Sequence, residues 1–128
     1  ADACAHLGVT RVAVGATYPD DVAERFVAFL ARAGVEVLAL SARGIVTAAE
    51  VGTLPPEDVL AFAEAADHAD AQAVLLPDTA LHTVDLLDAL DARVGKPVLT
   101  ANQVSIWQGL RLAGAAGPRA GLGRLFAE

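Results

Sequence analysis

Four short apolar runs, set between longer segments of helical periodicity, do most to limit what this chain can fold into. The runs are Arg11–Gly15 (RVAVG), Glu36–Leu40 (EVLAL), Ala73–Pro77 (AVLLP) and Pro97–Thr100 (PVLT). They are nearly continuous rather than alternating, which is the pattern of strands covered on both faces. The segments between them carry helical stripes. Val22, Phe26, Phe29, Leu30 and Ala33 recur at i, i+4, i+7, i+8 and i+11, a spacing that puts them on one face. Pro55-Pro56-Glu57-Asp58 reads as a helix start, with proline and early acids in the first turn. Val84, Leu87, Leu90 and Val94 form another stripe, as do Val104, Trp107 and Leu110. Gly34, Gly95 and Gly114 stand where helices should stop. Strands alternating with helices predict a doubly wound, mostly parallel sheet of about four strands flanked by helices, a Rossmann-like α/β arrangement.

The ends are read differently. Residues Ala1–Leu7 look like the last turns of a helix stopped by Gly8, as in a piece of something longer. The segment 115–128 is a Gly-containing tail, and Leu122–Phe126 is expected to dock at its end. With 128 residues, the chain is expected to form a single α/β domain. Basic residues number 9 against 16 acidic, for a net charge of −7. They are spread singly along the chain, which argues against a nucleic-acid partner. No run approaches the roughly 20 apolar residues of a membrane span. One cysteine, Cys4, excludes an internal disulfide framework and a cysteine-based zinc site. A reducing, cytoplasmic setting is expected, and Cys4 itself reads as a buried inert thiol.

Ligands of open parallel sheets bind outside the carboxyl ends of the strands. That rule selects Thr17 and Tyr18 after the first strand, Asp78, Thr79 and His82 after the third, and Asn102 after the fourth. The second strand leads into a long segment, Ser41–Leu54, placed as a lid or rim. The selected groups are hydroxyls, one carboxylate, an amide and an imidazole, and they suit a small carboxylate better than a nucleotide. No GxGxxG follows a strand and no GxxxxGK[ST] occurs. Each residue also has a purely structural reading. Thr17 with Asp20 fits a capping pair at a helix start. Tyr18 fits packing over that start, Asn102 an N-cap, and Asp78 a helix-start charge. Asp78 and His82 are four apart and would share a helical face, but two ligands alone define no metal site. His6 and His68 read as surface residues.

Longer stretches carry a family likeness. The opening LGVTRVAVGATYPDDVAERFVAFLARAGVEV, the segment GIVTAAEVGTLPPEDVLAFAEAAD, the block ADAQAVLLPDTALHTVDLLDALDARVGKPVLTANQVSIWQGLRLAG and the ending Gly121-Leu122-Gly123-Arg124-Leu125 cover nearly the whole chain. Together they resemble the C-terminal half of the aspartate/glutamate racemase superfamily, in its maleate cis-trans isomerase and arylmalonate decarboxylase branch. The resemblance implies two similar α/β halves with the active site between them, each supplying one cysteine. It implies that Tyr18 contacts a substrate carboxylate. The second-half cysteine of the family precedes Thr in a Ser-Cys-Thr run, followed by a Leu-Arg-Thr element. Here those read Pro77-Asp78-Thr79 and Leu81-His82-Thr83, so Asp78 stands in the place of the cysteine and His82 in that of the arginine.

The expectation that follows is an enzyme of this superfamily needing neither metal nor organic cofactor. It would transfer a proton at carbon, by isomerisation or racemisation, on a small carboxylate or dicarboxylate. Asp78 would be the acid/base group, with Thr17, Tyr18, Thr79, His82 and Asn102 binding substrate. The alternatives are an arylmalonate-type decarboxylase, or a non-catalytic small-acid-binding relative that lost the second cysteine. An N-terminal half and a homo-oligomeric state complete the expected partners.

Overall fold

The structure is a computed structural model and describes residues 1–42 and 48–127. Its frame is a four-stranded sheet in the order β2-β1-β3-β4, built from β1 (Arg11–Ala16), β2 (Glu36–Ala42), β3 (Ala73–Leu76) and β4 (Val98–Thr100). All three pairings are parallel, with Val14 opposite both Leu40 and Leu75, and Leu75 opposite Leu99. The sequence runs were therefore strands, displaced by one or two residues at their ends. The helices are α1 (Asp2–Leu7), α2 (Asp20–Arg32), α3 (Ala48–Val51), α4 (Pro56–Ala66), α5 (Leu87–Val94) and α6 (Ala101–Leu112), with 3₁₀ turns at Val84–Leu86 and Arg124–Phe126. Residues 43–47 of the segment proposed as a lid or rim lie outside the described residues. The following part forms α3.

Strand residues alternate between two apolar layers, because successive side chains point to opposite faces. Val12, Val14, Leu75 and Leu99 pack with α1, α2, α6 and the tail, around Cys4, Leu30, Trp107, Leu125 and Phe126. Ala13, Val74, Leu76 and Val98 pack on the other face with Val59, Ala63 and Leu90 of α4 and α5. The helix α4 comes so close to β1 that a Cβ on Gly15 would lie 3.0 Å from both the Ala66 Cβ and the Leu76 Cδ2. Glycine there sets the helix–sheet distance.

Two apolar stripes are rotated from their predicted faces. In α2, Ala23 and Leu30 are buried, while Val22 and Phe29 are exposed. The small Ala23 lets the helix sit low on the sheet, and the larger Phe29 turns outward along it. In the 84–94 stripe, Leu87 and Leu90 are buried but Val84 is exposed, because the chain enters α5 through a 3₁₀ turn. His6 is not a free surface histidine: its ring lies 5.0 Å from that of Trp107, which also meets the Arg111 guanidinium at 4.7 Å. The tail is held by carboxylates of α5. Asp88 Oδ1 accepts the Gly123 N–H at 2.8 Å, and Asp91 Oδ2 accepts that of Arg124 at 2.7 Å. The other Asp91 oxygen accepts the Val98 N–H of β4 at 2.7 Å.

Candidate functional site

The order β2-β1-β3-β4 places a topological switch point between β1 and β3, since the chain winds outward from β1 in one direction and then in the other. A crevice opens beyond the carboxyl ends of such a strand pair. Two segments leave the sheet there, Thr17-Tyr18 after β1 and Pro77-Asp78-Thr79 after β3. They meet directly. The Thr17 hydroxyl donates to Asp78 Oδ2 in a short contact, and the Tyr18 hydroxyl donates to the Pro77 carbonyl at 2.7 Å. From the start of α6, the Asn102 Nδ2 donates to the Thr79 carbonyl at 2.9 Å. Three side chains chosen from sequence as ligand contacts thus grip three successive residues of the turn after β3.

Asp78 is half-buried, and its Oδ1 accepts the Ala80 backbone N–H at 2.8 Å. With the Leu81 N–H closing on the Asp78 carbonyl at 3.3 Å, the carboxylate organises a tight turn in place of a helix start. Asp78 and His82 therefore do not share a helical face, because α5 begins only at Leu87. The capping readings fail as well. The N-cap of α2 is Pro19, which leaves Thr17 for Asp78. The N-cap of α6 is Thr100, in a capping box with Gln103, which leaves Asn102 one turn position further on and exposed.

Burial, with the Asp78 charge adding to it, pushes the Tyr18 phenol above its ordinary value, so its hydroxyl keeps its proton and stays a donor. Thr79 is exposed beside Asp78. His82 is exposed, and its Nε2 lies 3.4 Å from where a Cβ on Gly52 would be. It lines a hollow of about 470 Å³ together with Asn102, Ile106 and Leu122. Cys4 is buried on α1 and burial pushes its thiol up, away from the reactive thiolate. Among the described residues, no group of three or more His, Cys, Asp or Glu is placed to hold a metal ion. No described helix is long and apolar enough to cross a membrane.

Two features were missed in the sequence. Thr83 and Thr100, both buried, join their hydroxyls at 3.1 Å beneath the site and tie the turn after β3 to the end of β4. The T-x-x-Q spacing of Thr100 and Gln103 is a capping-box signature and gave a signal for half of this pair. The second feature is an apolar groove of about 680 Å³ that runs from the Asp78 turn, at Pro77 and Thr79, between α2 and α6. Its walls include Phe29, Val104 and Leu112. No periodicity argument marks a groove, since it depends on how two helices splay.

With this geometry in view, the comparisons with known proteins are specific. The family described as arylmalonate decarboxylase matches residues 1–126. The chain belongs to the arylmalonate decarboxylase family. It is 38% identical over 128 residues to the arylmalonate decarboxylase of Bordetella bronchiseptica, covering 95% of this chain and 52% of that protein. Among solved structures, an arylmalonate decarboxylase superposes with a TM-score of 0.87 at 32% identity, over 98% of this chain and 56% of that one. A Nocardia farcinica maleate cis-trans isomerase carrying a covalently bound succinylcysteine intermediate superposes with a TM-score of 0.91 at 27% identity, over 98% and 52%. The chain therefore spans about half the length of the curated relative it matches, and it has the α/β fold of both enzyme types.

Proposed function

We propose that this chain is the proton-transferring half of a cofactor-independent enzyme acting on a small carboxylate or dicarboxylate, with Asp78 as the acid/base group. The observation that carries the reading is the placement of Asp78. It lies at the switch point, gripped on both sides, where the family resemblance puts the second-half cysteine. A carboxylate there can exchange a proton with carbon, but it is a poor nucleophile toward an alkene. The substitution disfavours a covalent route such as that of the isomerase with its succinylcysteine intermediate.

Family membership favours decarboxylation of an arylmalonate-type acid as the form the reaction takes. The bond between the α-carbon and one carboxylate breaks and carbon dioxide leaves. The electron pair remains as an enediolate on the other carboxylate, and protonated Asp78 delivers its proton to the α-carbon. Water restores that proton. Hydrogen-bond donors around the remaining carboxylate would stabilise the enediolate. Racemisation through the same enediolate is the second form: Asp78 removes the α-proton on one face, and a donor on the opposite face, from the other half, returns a proton to the carbon.

The apolar groove supports the further reading that a second half completes the site. The relatives are about twice as long as this chain, and in the family resemblance the active site lies between halves. The groove reaches the Asp78 turn and leaves Leu112 80% and Phe29 54% exposed, which suits burial against that other half.

The test is a panel of phenylmalonate, maleate and aspartate given to the full protein, with carbon dioxide release, isomerisation and racemisation followed separately. Release of carbon dioxide from phenylmalonate is expected. Binding of these acids by calorimetry without turnover of any would contradict the enzymatic reading and favour a small-acid-binding protein.

A further inference from the structure

We infer that Thr17 is a positioning residue, which fixes the Asp78 carboxylate for proton transfer and does not bind substrate. The inference rests on the reading of Asp78 as the proton-transfer group and adds a second component to it. Thr17 is 1% exposed at the end of β1. A hydroxyl so deep needs a partner within the protein, and its hydrogen bond goes to Asp78 Oδ2. Tyr18 and Asn102 grip the backbone carbonyls on either side of Asp78. Thr17 grips the carboxylate itself.

The geometry explains why one extra hydroxyl matters. An ionised carboxylate has about four acceptor positions on its two oxygens. The Ala80 N–H takes one on Oδ1 and the Thr17 hydroxyl one on Oδ2. One anchor on each oxygen fixes the rotation of the group and leaves a free position on each for the substrate side. The Thr17 hydroxyl can donate to Oδ2 both when the group is a carboxylate and when a proton sits on a substrate-facing position of the acid. The same contact then holds Asp78 before and after the proton moves. Threonine suits the task because its branched side chain has little freedom about χ1. A substrate ligand would instead need its hydroxyl directed at open space.

The experiment uses the full protein with phenylmalonate and compares Thr17→Val, Thr17→Ala and Thr17→Ser, each checked by thermal melting. Thr17→Val keeps the shape and removes the hydroxyl. It is expected to lower kcat by roughly 10- to 100-fold, the worth of a hydrogen bond to a charged group. KM should stay within about twofold. Thr17→Ala should show the same split, and Thr17→Ser, which restores the hydroxyl, should recover most of kcat. A merely structural role would not give rescue by serine together with an unchanged KM. Adding Thr17→Val to Asp78→Asn should cost nothing further in kcat, because the group being positioned is already gone. A raised KM with unchanged kcat in Thr17→Val would make Thr17 a substrate ligand and overturn the inference. A normal kcat in Thr17→Val beside a crippled Asp78→Asn would overturn it while leaving the role of Asp78 intact. A normal kcat in Asp78→Asn, or no turnover in the unsubstituted protein, would overturn both.

Discussion

At the scale of single residues, the turn after β3 is held by side chains delivered from other strands. Thr17 and Tyr18 come from the end of β1 and Asn102 from the start of α6. The strand-end rule selected these positions from the sequence, because the ends of apolar runs are easy to see. It gave no way to see that their polar groups would be engaged with one another. Such pairing depends on strand order, which places residue 17 beside residue 78 across 61 positions of sequence. Tyr18 offers a direct check of that neighbourhood. Its phenol is raised above 10.0 first by burial and then by the Asp78 charge. Its hydroxyl therefore donates to Pro77 through the neutral range, and the bond is lost only as pH rises past the elevated value. The difference in phenolate absorbance between the protein and its Tyr18→Phe variant reports on this group alone. Asp78→Asn should lower the titration midpoint toward the ordinary value, with burial holding it above. An unchanged midpoint would mean that the Asp78 charge does not reach the phenol.

At the scale of elements, β1, β3 and β4 were legible because strands buried on both faces leave continuous apolar runs, and β2 kept such a run although it lies half-buried at the sheet edge. Helix faces were less so. Val22 and Phe29 satisfied the helical spacing in α2, yet Ala23 and Leu30 form the buried line. Spacing alone does not say whether a small or a large residue will meet the sheet. The segment after Asp78 was misplaced for a local reason, since its carboxylate captures the Ala80 N–H and makes a turn that competes with helix formation. The tail was expected to dock through Leu122–Phe126, and Leu125 and Phe126 are buried. Its anchor to the α5 carboxylates was not foreseen. Gly123 sits at the centre of that anchor with φ +79°, and a Cβ there would lie 2.9 Å from Gln103 Nε2 and 3.2 Å from Asp91 Oδ2. Gly123→Ala is expected to destabilise the protein by about 1–3 kcal/mol, the range for a strained backbone position. Denaturant unfolding measures this, and a loss below about 0.5 kcal/mol would show that the tail is not held as described.

At the scale of the whole molecule, the chain spans about half the length of the curated relative it matches. Its core is closed on both faces of the sheet, while the groove between α2 and α6 is left open beside the Asp78 turn. If the other half covers that groove, Leu112→Asp in the full protein should cost about 1–3 kcal/mol, as for a polar group forced into an apolar contact. Val84→Asp, at a position 65% exposed and outside the groove, should stay within about 0.5 kcal/mol. Equal, small effects in chemical unfolding would show that nothing covers the groove. The central claim concerns Asp78, and one substitution tests it most directly. Asp78→Asn keeps the shape of the side chain and removes its ability to carry a proton. Measured in the full protein on phenylmalonate, with a melt to show that the variant is folded, kcat should fall by about 10²- to 10⁴-fold, as for loss of a placed acid/base group. A folded Asp78→Asn protein with an undiminished kcat would contradict the assignment.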